Sequence, residues 1–425
     1  MSAQNNEKKP VAVVLGGTVP HIELLKKLKR RGYFTVLIDY YKNPPARDYA
    51  DEHVCESTLD RDIVLRTAAE RQAAIVLGPC VDQANVVACY VSEQLGLPEP
   101  YDLETAKNVT DKGRMKTIMT DHGIPTSPFA IVGSSAEAAQ LDPVYPAVVK
   151  PVDNNGSKGV RRVDSREELL PAVEQALSLS RAGRAVVEQF NDGFEIQVDC
   201  MVSGHVTDVI MKRRRLKTKP AKGMAIQPFG SVIPAVLGEE LDAEIDRIAG
   251  GIADAFGLND TPFFIQAIVR GSSVSVLEFA PRIGGTLSYF LMKEITGFDA
   301  LDAAVAGIEG SPIDVRFHAP EHYYTTSIIY AQPGILGKIT GLEEMKAAGR
   351  IIDFHYMKTP GMEFGTVMDS RNRAASYIIR ADSRKELLEK AGAVNREVDV
   401  LNEKGESIMC RDLVLTDAMI PGGIR

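Results

Sequence analysis

The sequence predicts an α/β fold that passes into an α+β one, on three observations. Apolar runs of strand length alternate with amphipathic stretches near the N-terminus. Two strand–turn–strand signatures follow in the middle. No internal repeat of solenoid period and no low-complexity tract is present.

The elements follow in order. Residues 11–15 are apolar without a break and end at Gly16-Gly17, the pattern of a parallel strand buried on both faces. Residues 22–31 place Leu24, Leu25 and Leu28 on one helical face, and Gly32 stops them. Residues 35–38 and 74–77 read as further buried strands, and 63–72 and 86–95 as helices, the last closed by Gly96. Such alternation implies a parallel, doubly wound sheet. Residues 103–108 and 112–121 are helical until Gly123-Ile124-Pro125. A short strand at 147–151 leads into a polar, glycine-bearing stretch, and Ser165 with Glu168 forms a capping-box pattern.

From Val186 the pattern turns antiparallel. Residues 195–202 alternate, Ser203-Gly204 turns, and 206–211 alternate back. Residues 241–256 are amphipathic helix, and 263–269 with 274–279 make a second hairpin across Gly271-Ser272. Beyond Gly310 come short strands, such as 324–331 and 376–380, and a helix near 384–392.

At 425 residues the chain suits two or three domains. A net charge of -8 argues against nucleic acid and favours small substrates. The five cysteines form no C-x-x-C pair, which fits reduced thiols in a cytoplasm. Residues 1–10 lack an apolar signal core, and no apolar run approaches the ~20 residues of a membrane helix. A soluble, cytoplasmic protein is expected.

Three clusters carry chemistry. On the second hairpin, Gln266 and Glu278 fall on adjacent strands and can point to one side. Oxygen donors so placed suit Mg²⁺, which takes few protein ligands. Arg282 follows, where a guanidinium could stabilise a transferring phosphoryl group; a plain Glu278–Arg282 ion pair is the structural alternative. Lys150 ends an apolar strand before Asp153-Asn154-Asn155-Gly156-Ser157-Lys158-Gly159. Backbone N–H groups in such turns can cradle phosphate, although the stretch is no Walker loop and also reads as a solvated turn. Glu188-Gln189-Phe190 could meet an adenine edge and Glu195 a ribose; the alternative is two exposed strand-end acids. His21 could face a crevice or cap a helix. The run from Lys212 to Lys219 could send Arg213 or Arg215 toward an anion, or be a solvated hairpin end.

In order and spacing, Lys112, Lys150 with its loop, Glu188, Glu195, Gln266, Glu278 and Arg282 resemble the ATP-grasp superfamily over residues 11–310. The hairpin is similar to the carbamoyl phosphate synthetase and biotin carboxylase branch. The overall plan is similar to amino-acid ligases and related carboxylate–amine ligases. The resemblance implies an ATP-grasp fold: a Rossmann-like pre-ATP-grasp domain (1–107), an ATP-grasp domain (108–310) and a small C-terminal β-rich unit (311–425) completing the active site.

It further implies ATP with Mg²⁺, or Mn²⁺ in its place, a small carboxylate and an amine as substrates, and a homodimer as the default assembly. Lys112 and Lys150 would contact the ATP phosphates, and Asn155, Gly156, Ser157 and Gly159 would close over them. Glu188, Gln189 and the backbone at Phe190 would read adenine, and Glu195 the ribose. Gln266 and Glu278 would hold the metal, and Lys150 and Arg282 would act on the reacting groups. One position departs: the family's Glu-x-Asn-Pro-Arg stands here as Glu278-Phe279-Ala280-Pro281-Arg282, so one metal-binding oxygen is missing. The expected activity is ADP-forming C–N ligation through an acyl phosphate. An ATP-dependent carboxylase using bicarbonate and a non-catalytic ATP-binding module are the rival readings.

Overall fold

A computed structural model describes residues 9–154, 156, 158–218, 227–285, 287–366 and 368–420. The first unit is a parallel sheet of β1 (Val11–Leu15), β2 (Phe34–Ile38), β3 (Glu52–Val54) and β4 (Ala73–Leu77), in the order β3-β2-β1-β4. Helices α1 (Val19–Arg30), α2 (Arg61–Glu70) and α3 (Asp82–Leu95) cover it. The apolar run of β1 is explained by burial on both sides. Val11, Val13 and Leu15 pack in one core with Val64, Ala68, Val87 and Val91. Ala12 and Val14 pack in another with Leu24, Leu25 and Leu28.

Next, α4 (Leu103–Thr110) and α5 (Lys112–Asp121) lead into a four-stranded antiparallel sheet. Its strands are β5 (Phe129–Val132), β6 (Ala147–Pro151), β7 (Arg161–Val163) and β8 (Ala185–Gln189), ordered β5-β8-β6-β7, with α6 (Ser135–Ala139) and α7 (Arg166–Leu179) between them. At α7 the expected capping box is not formed. Ser165 makes no capping hydrogen bond, and the Glu168 carboxylate accepts from the Asp164 amide.

The chain then builds an eight-stranded antiparallel sheet. Its strands are β9 (Phe194–Ser203), β10 (Val206–Lys217), β11 (Pro228–Ile233), β12 (Thr261–Arg270), β13 (Ser273–Ala280) and β14 (Tyr323–Tyr330), with two more added later. Helix α8 (Glu239–Ala255) precedes β12, and α9 (Ser288–Thr296) and α10 (Ala300–Glu309) follow β13. The remainder is β15 (Gly334–Thr340), α11 (Leu342–Ala347), β16 (Asp353–Tyr356), β17 (Glu363–Phe364), β18 (Arg373–Ala381), α12 (Arg384–Glu397) and β19 (Asp399–Asn402). The large sheet runs β13-β12-β9-β10-β11-β14-β18-β16, and β17-β15-β19 form a small third sheet.

The two faces of the large sheet differ. Ile196, Val198 and Cys200 of β9 pack with Ile245, Ile248 and Ile252 of α8 and with Met115 and Met119 of α5. Their sequence neighbours Glu195, Gln197 and Asp199 point to the other face, because side chains alternate along a strand. That polar face lines the site. Its apolar edge, including Tyr324 and Ile378, joins α9, α10 and α1 in one core, which ties the N-terminal unit to the large sheet.

Candidate active site

Cross-strand partners share a face of a sheet, so the register traces a polar file across seven strands. Glu278 pairs with Gln266, and Gln266 with Gln197. Gln197 pairs with Arg213. Two residues on, Arg215 pairs with Ser231, and Ser231 with Thr326. Two residues further, Ile328 pairs with Ser376. All of these line one cleft of about 280 Å³ together with Lys112, Gly156, Ala280, Arg282, Asp82 and Arg373.

Ions along the file are paired. The Lys112 Nζ stands 3.4 Å from Glu278 Oε2 and donates to the Asn154 carbonyl at 2.7 Å. Burial alone would raise the Glu278 carboxyl, but Lys112 and Lys150 outweigh it and hold the group at about 2. Arg213 donates to both Asp199 oxygens, at 3.0 and 2.8 Å, and to Ser288 at 2.7 Å. Arg215 and Lys217 converge on Glu195, and Arg215 also donates to Gln197 at 2.9 Å. Arg373 differs: its Nε donates to the Tyr330 hydroxyl at 2.9 Å, and among the described residues it meets no carboxylate.

Behind one end of the cleft lies a buried triad. Glu188 accepts from Lys150 at 2.7 Å and stands 2.9 Å from Lys116. Lys116, fully buried on α5, also donates to Thr126, whose hydroxyl donates to the Val276 carbonyl at 2.7 Å. Burial would raise the Glu188 carboxyl, but the two lysines outweigh it and the group is held low. Charges so deep persist only when compensated.

Of the residues expected from sequence, the structure gathers Lys112, Gly156, Gln266, Glu278 and Arg282 on the cleft wall and sets Lys150 with Glu188 just behind it. Asn155 and Ser157 lie outside the described residues, as does Lys219 of the basic run. The solvated-acid alternative fails, since Glu188 and Glu195 are each only 4% exposed. Glu195 does not reach the cleft wall; two cations draw it back into the sheet. The N–H of Phe190 donates to the Pro146 carbonyl at 3.0 Å, because pairing with β6 continues past Gln189. Only its carbonyl is left for a ligand. Gly159, at φ +75°, is needed for packing: a Cβ there would meet Leu179 at 2.8 Å and Pro151 at 2.9 Å.

Arg282 is not paired with Glu278. Its fork grips Asp82 at the start of α3, with Nη2 to Oδ2 at 2.7 Å, and its third arm donates to the Ile283 carbonyl at 2.9 Å. Its face covers the Phe264 ring at 5.0 Å. His21 resolves as a cap: Nδ1 accepts from the Thr18 amide and approaches the Thr18 hydroxyl, and the ring is fully buried.

Residues not foreseen are Lys116, Gln197, Asp199, Asp82, Arg373 and the hydroxyls of Ser231, Thr326 and Ser376. Two signals existed. Lys116 sits one helical turn beyond Lys112, and Gln197 and Asp199 continue the two-residue period of Glu195. Asp82 and Arg373 reach the cleft only through tertiary packing.

With cations outnumbering carboxylates and an acid–amide pair on a hairpin, this cleft is the candidate active site. An ATP-grasp domain model matches residues 143–289, and an L-amino acid ligase C-terminal domain 2 model matches residues 327–403. The chain is 27% identical over 304 residues to a formate-dependent phosphoribosylglycinamide formyltransferase of Burkholderia thailandensis, covering 68% of this chain and 73% of that protein. The crystal structure of L-amino acid ligase from Bacillus licheniformis superposes with a TM-score of 0.79 at 22% identity, over 93% of this chain and 99% of the other. The biotin carboxylase domain of 2-oxoglutarate carboxylase from Hydrogenobacter thermophilus, crystallised with MgADP, ADP and bicarbonate, gives 0.74 at 16% identity, over 94% and 92%. ATP-grasp enzymes use ATP and Mg²⁺. Among the described residues no helix is long and apolar enough to cross a membrane.

Proposed function

We propose that the chain activates a small carboxylate as an acyl phosphate and joins it to the amine of an amino acid, releasing ADP and phosphate. The polar file carries this reading. At ~4.8 Å per strand it extends roughly 25–30 Å, from the Gln266–Glu278 pair to β18. Phosphates at one end leave room for two further reactants at the other. The match of the C-terminal unit to an L-amino acid ligase domain supports the amino acid as acceptor.

The substrate carboxylate oxygen attacks the γ-phosphorus, and the bond to the bridging oxygen of ADP breaks. The amine nitrogen then attacks the acyl carbon, phosphate leaves, and the nitrogen gives up a proton. Catalysis of this kind is mostly positioning and charge neutralisation. Lys112 and Lys150 face the phosphates, with Gly156 in the covering loop. Glu188 and the Phe190 carbonyl serve the adenine edge. Gln266 and Glu278 offer hard oxygen donors on one face, with Glu278 ionised, so they fit Mg²⁺. Mn²⁺ accepts the same donors. The bound ion would neutralise phosphate charge. Arg282 meets the acyl phosphate on leaving Asp82, and Arg373 takes the acceptor's carboxylate. A cytoplasmic homodimer is the setting this reading expects.

ADP release with Mg²⁺-ATP, measured against pooled amino acids, small carboxylates, formate and bicarbonate, tests the proposal, with Lys150→Ala as control. Release that needs the amino-acid pool and vanishes in the variant is expected. Release with bicarbonate alone would instead establish a carboxylase.

A further inference from the structure

The cleft ends in a shelf of hydroxyls that the phosphate chemistry does not use. Ser231 of β11, Thr326 of β14 and Ser376 of β18 stand on neighbouring strands, on the face that also carries Gln266 and Glu278. Ser231 and Thr326 satisfy each other, Oγ to Oγ1 at 2.7 Å. Ser376 does not share this. It is 1% exposed, its hydroxyl has no hydrogen-bond partner among the described residues, and it lines the cleft.

A hydroxyl buried in this way loses its hydrogen bonds to water and regains nothing from the fold, which costs about 1–3 kcal/mol. A buried polar group of this kind calls for an explanation, and a polar group entering the cleft beside Ser376 would complete it. An apolar group placed against it would leave it unsatisfied, whereas a donor or acceptor would restore the bond. The neighbouring Ser231–Thr326 pair can turn either a proton or a lone pair outward, because hydroxyls rotate.

We infer that Ser376, with Thr326 and Ser231, is a specificity subsite for the side chain of the acceptor amino acid, and that it selects uncharged side chains bearing a hydroxyl or amide. The inference rests on the proposed ligase reading, in which Arg373, on the same strand as Ser376, holds the acceptor's carboxylate.

The test uses acceptors in matched pairs, serine against alanine and glutamine against methionine. Two readouts are taken: kcat/KM for ADP release, and the thermal shift of the full chain with a non-hydrolysable ATP analogue. The wild type is expected to prefer the polar member by about tenfold or more, the size of one neutral hydrogen bond regained. Ser376→Ala should bring that ratio close to one, and Ser376→Thr should restore part of it. Thr326→Val, a smaller change in packing, should lower the ratio if Ser376→Ala fails to fold. Preference for the apolar members, or a ratio unchanged in both Ser376→Ala and Thr326→Val, overturns the inference while leaving the ligase reading intact. If no acceptor elicits ADP release, the ligase reading falls. A thermal shift from the polar members that Ser376→Ala abolishes would then still support the subsite, and no shift from any polar member would overturn it.

Discussion

The two ends of the cleft solve the burial of polar groups in opposite ways. At the proposed nucleotide end the buried charges are paired: Glu188 between Lys116 and Lys150, Glu278 against Lys112. At the far end the Ser376 hydroxyl is buried with no partner among the described residues. The difference follows from what each costs. A buried charge left unpaired costs several kcal/mol, so ions come with counter-ions before any ligand arrives. A neutral hydroxyl costs less and can wait for one. The first end is thus held in place by the fold itself, and the second is shaped by what it binds.

Breaking the compensated end should have the largest effect. Lys116→Met keeps the length of a fully buried side chain and removes half of the charge facing Glu188. A loss of about 3–5 kcal/mol is expected for a broken buried pair, read from urea unfolding, with ADP release falling alongside. A loss under about 1 kcal/mol would mean that Lys150 alone compensates Glu188, and the contrast between the ends would weaken.

His21 sharpens the comparison because it is a buried polar ring, bonded to the backbone of Thr18 and Leu15, that is also titratable. Burial holds its imidazole at about 4, below the ordinary 6.5. Between those values the unfolded chain binds more protons than the folded one. The stability this group contributes is therefore complete above about pH 6.5 and is lost as pH falls toward 4, by about 3 kcal/mol. His21→Gln should flatten that acid limb in a pH series of unfolding curves. A limb of unchanged slope would assign the loss to other groups. The same ring bars a side chain at Gly16, where φ is +111° and a Cβ would stand 2.8 Å from Nε2.

Glu278 stands on the edge strand that begins the file. Replacing its carboxylate by an amide keeps the shape and removes the charge that Lys112 faces. Glu278→Gln should lower ADP release on the order of a hundredfold and raise the Mg²⁺ concentration needed for half-maximal rate. An unchanged Mg²⁺ requirement would remove Glu278 from metal binding and leave it only as the partner of Lys112.

The sequence made the fold legible wherever one period governed a segment. The unbroken apolar run of β1 announced a strand covered on both faces, and the alternation of 195–202 announced the polar and apolar faces of β9. It made the charged part of the cleft legible because charges placed at strand ends and at two-residue spacing are visible in one dimension. Arg282 was legible as a residue, but its partner Asp82 was not, since it lies 200 positions away. Which backbone atom of Phe190 stays available was not legible, because the β6–β8 pairing runs past the end of β8 and takes its N–H. Ser376 carried no signal at all. A serine in a strand is unremarkable until the register sets it beside Ile328 and the cleft opens over it.

Ala280 offers the smallest and most pointed change. It lines the cleft beside Glu278, at the position where the family pattern carries asparagine. At 8% exposure it leaves little spare room, so an added amide must point into the cleft or strain the strand. If the nucleotide end is complete in charge but short of one oxygen, Ala280→Asn should tighten Mg²⁺ a few-fold, roughly 0.5–1 kcal/mol. Titration of the metal against ADP release reads this directly. Stability should fall slightly through crowding. Tighter metal binding with an unchanged acceptor preference would show that the two ends are tuned independently. A preference shifted together with metal affinity would show that the file across the sheet transmits between them.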